Sequence, residues 1–195
     1  MPEPEDTKTD INDALTKVMR IFWSRGYRGT SVDDLASAIN VDRARFRDLF
    51  GCKRTAFLHA LDHYEAVHLD RYLGKLRAMP NAYDAVVGAF DAGIATVLDR
   101  GNRDGCLYVN TAMELSAHDP EVAGMVRHGL VRIEEFFQET IEAGQRTGEL
   151  PRHLNPVRVA QSLLCLFVGT KVLSRSRPEE HLLRTVSAQA AALLE

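Results

Sequence analysis

The sequence predicts an all-α protein in which a small N-terminal unit of three helices precedes a larger helical domain. Apolar residues recur at spacings of three and four along nearly the whole chain, and short segments rich in Gly, Pro and Asn separate these stretches. No segment shows the strict alternation of a half-buried strand. The helices lengthen from about residue 53, so we expect two domains, over residues 9–54 and 55–195.

The composition is that of an ordinary soluble globular protein, with 45% hydrophobic and 26% charged residues among 195. The acidic N-terminus does not resemble a secretory signal and is expected to be disordered to about Thr9. No apolar run approaches the roughly 18 residues that span a membrane, so we expect a cytoplasmic protein without a membrane partner. The net charge of −3 gives no overall indication of nucleic-acid binding, and any basic surface must be local.

Cofactor, metal and catalytic motifs are not evident. Cys52, Cys106 and Cys165 lie far apart without a CxxC pair, which argues against a zinc ribbon or a disulfide framework. His59 and His63 have the i, i+4 spacing of metal ligands, but no third ligand is evident, and a solvated helix face is the simpler interpretation. No nucleophile elbow, phosphate loop or catalytic carboxylate pair appears, so we expect no cofactor, no metal and no enzymatic activity.

The first helix is expected around one apolar stripe. Ile11, Leu15, Val18 and Phe22 recur at spacings of four, three and four, which places them on one face of a helix. Gly26 is expected to end it, since glycine is the residue most often found just after a helix.

The next two helices are expected to be short. Thr30 is the expected cap of the first, and Asn40 ends it because asparagine tolerates the left-handed conformation of a tight turn. Asp42 is expected to cap the second, which closes at Gly51. Longer helices are then expected over residues 53–79, 81–98, 105–117, 120–146, 156–174 and 179–194.

Two helices of about two turns, joined by a three-residue turn and preceded by a longer helix, predict a helix-turn-helix unit. Such short helices bury little apolar area alone, and they persist where the second must project into a groove. That helix, DRARFRDLF, presents Arg43, Arg45 and Arg47, and residues 42–54 include five basic and two acidic residues. Arginine can bond guanine edges or pair with phosphate, so this local basic patch predicts binding to double-stranded DNA.

The stretch from Phe22 to Tyr64 resembles the N-terminal domain of the TetR/AcrR transcriptional regulators. The motifs that carry the resemblance are Phe22, Gly26-Tyr27, Gly29-Thr30-Ser31, Asp34-Leu35-Ala36, Val41 and Phe50-Gly51-Cys52-Lys53. The later segment GCLYVNTAMELSAHDPEV is similar to one sub-branch of the family. Two positions depart from the usual pattern: Asn40 replaces a glycine, and Arg47 replaces a tyrosine that is expected to contact phosphate.

The resemblance implies a set of DNA contacts. Thr30 would contact a phosphate at the start of the second helix, and Arg43 and Arg45 would face bases. Lys53, with the amides of the helix that it begins, would hold a backbone phosphate. The full predicted set is Thr30, Ser31, Asp42, Arg43, Ala44, Arg45, Arg47 and Lys53.

The resemblance also implies an apolar effector pocket among the central helices and a dimer. Core packing is the simpler interpretation for any single candidate pocket residue. The candidates are Phe90, Ile94, Tyr108, Asn110, Met113, Glu114, Met125, Phe137 and Phe167. The last two predicted helices are apolar on more than one side, which favours homodimerisation. The predicted dimer contacts are Leu163, Phe167, Leu183 and Val186.

Cys106 is a candidate redox thiol. It follows Asp104 and Gly105 at a predicted helix start, where backbone amides favour the thiolate and the Asp104 carboxylate opposes it. A structural role is the simpler interpretation for Cys106 and for Cys52, and Cys165 is expected in the core.

The sequence thus predicts a homodimeric repressor that a small-molecule or stress signal releases from a palindromic operator. The alternative is a helical small-molecule or metal-binding protein whose helix-turn-helix no longer reads DNA. The effector, the operator sequence and the regulated genes are not encoded in any of these patterns.

Overall fold

The computed structural model describes the backbone of residues 4–100 and 103–195, and the side chains of residues 11–98 and 103–195. Within these ranges every regular element is helical, which confirms the all-α prediction. A π-helical turn, Glu65–Leu69, joins the fourth and fifth helices. The α-helices are α1 (Pro4–Arg25), α2 (Val32–Ala38), α3 (Arg43–Phe50), α4 (Lys53–Tyr64), α5 (Asp70–Arg77), α6 (Ala82–Arg100), α7 (Leu107–Glu114), α8 (Pro120–Thr147), α9 (Pro156–Ser176) and α10 (Glu180–Ala192).

The first helix begins earlier than expected. α1 starts at Pro4, so the prediction of disorder to about Thr9 is wrong for residues 4–9. Proline suits the first position of a helix, because the backbone N–H that it lacks would have no partner within the helix. Residues 1–3 lie outside the described part of the chain.

The N-terminal unit packs around aromatic side chains. Phe22 of α1, Phe46 of α3 and Leu35 of α2 are buried, and the Phe22 ring meets the edge of Phe57 on α4 at a centroid distance of 4.9 Å. The three-helix core therefore continues into α4. Ile11, at the start of the predicted stripe, is exposed because α1 extends beyond the helices that cover it.

The cap of α2 is Ser31, and the prediction that Thr30 caps this helix is wrong. The Ser31 hydroxyl accepts a hydrogen bond from the Asp34 amide at 3.1 Å, and the Asp34 carboxylate accepts one from the Ser31 amide at 2.8 Å. This reciprocal pair satisfies two amides that would otherwise be unpaired at the helix start. Asp42 caps α3 as predicted, and Asn40 has the expected left-handed backbone, with φ of 57°.

One continuous helical rod runs from Lys53 to Arg77 through α4, the π-helical turn and α5. The turn inserts an extra residue into the hydrogen-bonding pattern, so the side chains after it face a different direction from those before it. Tyr64 and Leu69, at either end of the turn, are both buried. π-Helical turns of this kind occur frequently at functional sites.

The C-terminal domain has a core of aromatic rings between α6, α8 and α9. Phe90 and Phe137 are stacked at a centroid distance of 6.1 Å, and both meet Phe167 edge-on, at 6.3 and 6.4 Å. A smaller cluster joins α6 to α10, where Leu183 is 0% exposed beside Ile94. The prediction that Leu163, Phe167 and Leu183 form dimer contacts is therefore wrong, because all three side chains lie inside the protomer's own core. Val186 is half-buried.

α9 is unusually apolar. It is the one helix in the described part of the chain whose length and composition would suffice to cross a bilayer, with a mean hydropathy of 1.4 over its most apolar stretch. One side packs along α8, but only 28% of that stretch is buried within the protomer. The protomer therefore leaves the apolar side chains of Val157 and Val172 exposed on the outer side of α9, beside the polar residues Gln161 and Ser162.

Candidate nucleic-acid interface and central cavity

The outer face of α3 carries a row of arginines. Arg43, Arg45 and Arg47 are exposed, whereas Phe46 and Phe50 on the other side of the helix are buried. The two aromatic side chains hold α3 against α1 and α4, so the guanidinium groups project into solvent. A recognition helix requires this arrangement in order to enter the major groove of DNA.

The three arginines differ in what they contact. Asp33 of α2 binds Arg43 in a bidentate ion pair, in which Nε and Nη2 each donate to one carboxylate oxygen. The hydrogen bonds from Arg43 lower the pKa of Asp33, but both groups are solvated and such exposed pairs contribute little to stability. Among the described residues nothing accepts a hydrogen bond from the guanidinium of Arg45 or Arg47. These two are the free cations of the α3 face.

The start of α4 adds a second basic position. The Lys53 ammonium lies 4.2 Å from the centroid of the Tyr27 ring, a cation–π contact that orients the side chain. The preceding residue, Cys52, occupies the cap position without a side-chain hydrogen bond to the helix amides. Backbone amides at an uncapped helix start are available to an anion such as a DNA phosphate.

Some of the predicted DNA contacts are not exposed. The prediction that Thr30 contacts a phosphate is wrong, because Thr30 is 2% exposed and its hydroxyl donates to the Gly26 carbonyl oxygen at 2.7 Å. Asp42 is exposed, but its carboxylate accepts the Arg45 amide at 2.7 Å and serves to begin α3. Lys53 is half-buried against Tyr27. The exposed remainder of the set is Ser31, Arg43, Ala44, Arg45 and Arg47.

The last residue of α7 connects the C-terminal domain to this surface. The Glu114 carboxylate accepts the backbone amides of Tyr27 and Arg28 at 2.9 and 2.6 Å. Gly26 has φ of 76°, and a Cβ there would lie 2.8 Å from a Glu114 oxygen, so glycine is required both for the turn and for the approach. The prediction that Glu114 lies in the effector pocket is wrong, because its carboxylate binds the backbone of the helix-turn-helix unit.

A second connection joins α4 to the start of α8. Arg54 donates to both oxygens of the Asp119 carboxylate at 3.0 Å and to Glu121 at 2.7 Å. Asp119 is also the cap of α8, where it accepts the amide of Val122 at 3.2 Å. A movement of α7 or α8 would therefore be transmitted to the base of the DNA-facing unit.

The C-terminal domain contains a cavity of about 340 Å³ between α1, the Lys53–Arg77 rod, α6, α7 and α9. Rings and donors dominate its wall, and among the described residues no Asp or Glu side chain lines it. The wall includes Trp23, Tyr64, Tyr72, Cys106, Lys171 and Ser174. The π-helical turn lies directly against it, since Tyr64 and Leu69 both contribute.

None of the nine predicted pocket residues lines this cavity, so that prediction is corrected. Met113 is 81% exposed, and the Asn110 amide group donates to the Asp104 carbonyl oxygen at 2.8 Å. The remaining apolar candidates pack in the core, where helical periodicity alone cannot distinguish a cavity wall from a filled interior. These core residues are Phe90, Ile94, Tyr108, Met125, Phe137 and Phe167.

Lys171 is the residue that the sequence reasoning missed. Its ammonium lies in the wall, 4.6 Å from the centroid of Phe167 and 5.8 Å from that of Tyr72, with no ion-pair partner among the described residues. A Cβ on Gly93 would lie 2.7 Å from the nitrogen, so glycine at this position leaves the space for it. The sequence does contain a signal for this residue. Lys171 comes four residues after Phe167 and three before Ser174, on the buried side of an apolar helix, and a lysine at that position indicates a polar site.

Trp23 supplies a second unpaired donor. Its indole Nε1 is buried and has no hydrogen-bond acceptor within the described part of the protein. The ring is held by the edges or faces of Tyr64 and His68, at centroid distances of 4.9 and 4.8 Å. Because Nε1 is shut off from solvent, the ring of Trp23 borders the cavity and its N–H does not open into it.

The cysteines occupy three different environments. Cys106 is buried and lines the cavity, where its sulfur accepts a hydrogen bond from the Tyr64 hydroxyl at 3.5 Å. Cys165 is exposed on the outer side of α9, and its prediction as a core residue is wrong because the stripe that packs on α8 is formed by other residues. Cys52 is exposed, and hydrogen bonding by Thr55 lowers the pKa of its thiol.

Replacing Lys171 with methionine is expected to stabilise the protein by about 1 kcal/mol or more, because methionine fills similar space without a desolvated charge. Burial lowers the pKa of Lys171 below 10.5. The unfolded chain therefore binds more protons, and this group's contribution to stability rises with pH toward 10.5. The advantage of Lys171→Met should shrink over the same range. Thermal and urea unfolding at several pH values measure the free energy of unfolding of Lys171→Met, with Lys17→Met as the control. A Lys171→Met protein that is less stable than the wild type would contradict the prediction.

Comparison with known proteins gives a consistent result. Residues 82–189, more than half of the chain, match the family described as "Tetracyclin repressor-like, C-terminal domain". The helix-turn-helix transcriptional regulator YezE of Bacillus subtilis (strain 168) is 27% identical over 177 residues, covering 86% of this chain and 89% of YezE. The transcriptional repressor ComR of Escherichia coli (strain K12) is 26% identical over 171 residues, covering 85% and 80%.

Among solved structures, a cysteine variant of the TetR family regulator CifR superimposes with a TM-score of 0.82. The identity is 24%, and the alignment covers 93% of this chain and 95% of CifR. That structure contains a 26-base-pair operator duplex. The likeness establishes a common fold across both domains.

Proposed function

We propose that this chain, which belongs to the TetR family of transcriptional regulators, acts as a homodimeric repressor. The dimer binds a palindromic DNA operator and leaves it when a small molecule occupies the central cavity. The observation that carries the proposal is the α3 face, where Arg45 and Arg47 are exposed and unpaired above buried Phe46 and Phe50. Domains over residues 9–54 and 55–195, and action in the cytoplasm where the DNA lies, are part of the proposal.

Relatives support the DNA-binding part. CifR has the same fold and was solved with operator DNA, and ComR and DhaR are named as transcriptional repressors. The test is a gel shift of the purified protein with the region upstream of its own gene. We expect a discrete complex that unlabelled specific DNA displaces and an unrelated duplex of equal length does not. Equal competition by both duplexes would reject an operator-binding function.

The dimer is proposed to form through the outer faces of α9 and α10. Val157 and Val172 are 44% and 41% exposed, Cys165 is exposed, and Val168 is half-buried between them on the same side of α9. On α10, half-buried Val186 continues this apolar surface. A second copy of the chain would cover it, and a two-fold contact would place two α3 helices on one duplex.

Effector coupling is proposed to run through α7. Cys106, at the start of this helix, lines the cavity, and Glu114, at its end, binds the amides of Tyr27 and Arg28. A ligand that displaces α7 would shift the helix-turn-helix unit and change the separation of the two α3 helices, which must match successive major grooves roughly 34 Å apart.

A stress response through Cys106 remains a prediction. Oxidation of this buried thiol would place a polar group in the cavity wall beside Tyr64. An oxidant that releases DNA from the wild type and not from Cys106→Ser would support it. Release from both proteins would exclude Cys106 as the responsible thiol.

Cys52 is expected to be the fastest of the three cysteines to react with iodoacetamide, because it is exposed and its pKa is lowered by Thr55. Operator DNA should slow this reaction several-fold, since Cys52 lies beside Lys53 at the proposed phosphate contact. Mass spectrometry of alkylated peptides measures both effects, with Cys106 and Cys165 as internal references. Cys52 that reacts equally fast with and without operator would contradict the proposed contact.

A further inference from the structure

The cavity in the C-terminal domain has an unbalanced set of polar groups. Lys171 contributes an ammonium, and Lys75 and His68 contribute two further nitrogen-bearing side chains. No carboxylate from the described residues lines it. Because unpaired donors in a partly dry site favour an acceptor, and most of all an anionic one, the wall is complementary to negative charge.

The remainder of the wall is apolar or aromatic. Leu69, Val97 and Ala92 lie beside the rings of Tyr64 and Tyr72. The Tyr72 hydroxyl donates to the Ala89 carbonyl oxygen, so this ring offers its face rather than its polar end to a ligand. The volume, about 340 Å³, falls at the lower end of the range for small-molecule sites.

We propose that the cavity binds a small organic carboxylate with an apolar body, its anionic group at Lys171 and its body against the aromatic wall. This rests on the proposed function, because it names the chemical class of the effector. The cation–π contacts to Phe167 and Tyr72 hold the ammonium in the cavity wall, and a carboxylate provides the stronger, charge-assisted partner.

The test uses the full-length protein and the fluorescence of Trp23, which is the only tryptophan in the chain. The probes are benzoate, phenylacetate and hexanoate, each paired with its neutral carboxamide at near-neutral pH. We expect the acids to change the emission and to bind at least about tenfold more tightly than the amides, the usual strength of a hydrogen bond to a charged group. Lys171→Met should lose this preference, and Lys17→Met, at a half-buried lysine of α1 that pairs with Asp13 outside the cavity, should retain it.

Two further measurements keep the test independent of any one variant. If Lys171→Met does not fold, as judged by circular dichroism, Lys171→Gln replaces it. Trp23→Phe, titrated by calorimetry, should retain the preference for the acids, because a phenyl ring still borders the cavity and the Lys171 ammonium is unchanged. Equal affinity for acids and amides, no binding of any acid at millimolar concentration, or an acid preference that persists without Lys171 would overturn the proposal.

Operator binding separates this inference from the proposed function. The gel shift without added acid tests DNA binding alone, so its failure removes the regulator and leaves the anion site intact. Release of the operator complex by the acids, and not by the amides, supports a carboxylate effector. Acids that bind through Lys171 without releasing DNA would overturn the assignment of this site to the effector.

Discussion

Glutamate at Val157 or Val172 is expected to convert the proposed dimer into a monomer. Both valines lie on the outer side of α9, where the protomer leaves their apolar side chains exposed. A charge placed there would be buried without a partner in the proposed interface, which costs about 3–5 kcal/mol at each of the two symmetric positions. Light scattering should then give the 21.8 kDa mass of one chain, where the wild type is expected to give twice that value.

Loss of the dimer should also reduce operator affinity by roughly 100-fold or more, because each half-site then binds one α3 helix without the gain from linkage. Val131→Glu is the matched control: it is the same change at a valine that is 40% exposed on α8. Cys165, covered in the dimer, should alkylate faster in the monomeric variants. A wild type that is monomeric and still binds a palindrome tightly would reject the proposed interface.

Arg45→Ala is expected to weaken specific operator binding by about 1–3 kcal/mol, which is roughly 5- to 150-fold in affinity. The Arg45 guanidinium is exposed on α3 with no acceptor among the described residues, so no ion pair has to break before it reaches a base edge. Its backbone amide bonds the Asp42 cap, and alanine preserves that bond. Affinity for unrelated DNA should change little, so the ratio of specific to non-specific binding should fall.

Lys53→Ala provides the comparison. A phosphate contact carries no sequence information, so this variant should weaken binding to all duplexes nearly equally and lower the salt dependence by about one unit. Binding isotherms at several salt concentrations measure both quantities. If Arg45→Ala reduced specific and non-specific affinity in the same proportion, Arg45 would be a phosphate contact and not a base contact.

Local patterns predicted the fold and the DNA-facing helix because both depend on residues close together in the chain. The apolar spacing of α1, the Asp42 cap and the left-handed Asn40 were read from neighbouring residues, and the structure contains each of them. The cap of α2 was misassigned by one residue. Thr30 and Ser31 can both cap a helix, and the bond from Thr30 to Gly26 decides between them.

The cavity could not be predicted because it depends on which faces of separate helices meet. Helical periodicity identified apolar residues correctly but could not tell those that fill the interior, such as Phe137, from those that border a space. Cys106 was singled out for its position at a helix start, and only the folded structure places it beside Tyr64 and in the same cavity wall as Lys171. The π-helical turn, which changes the direction of Leu69 and Tyr72 relative to Tyr64 in the wall, has no recognisable pattern in the sequence.

The sequence by itself determined that this chain is all helical, that it carries a basic recognition helix, and that its C-terminal helices have more apolar surface than one protomer can bury. These properties follow from short-range spacing and from residue type. Tertiary structure alone decided that Leu183 lies inside the protomer while Val172 lies outside, and that Glu114 binds the helix-turn-helix backbone across 86 residues of sequence. The physical reason is that the direction of a side chain within an apolar helix depends on how that helix is rotated against its neighbours. That rotation is set by packing over the whole molecule.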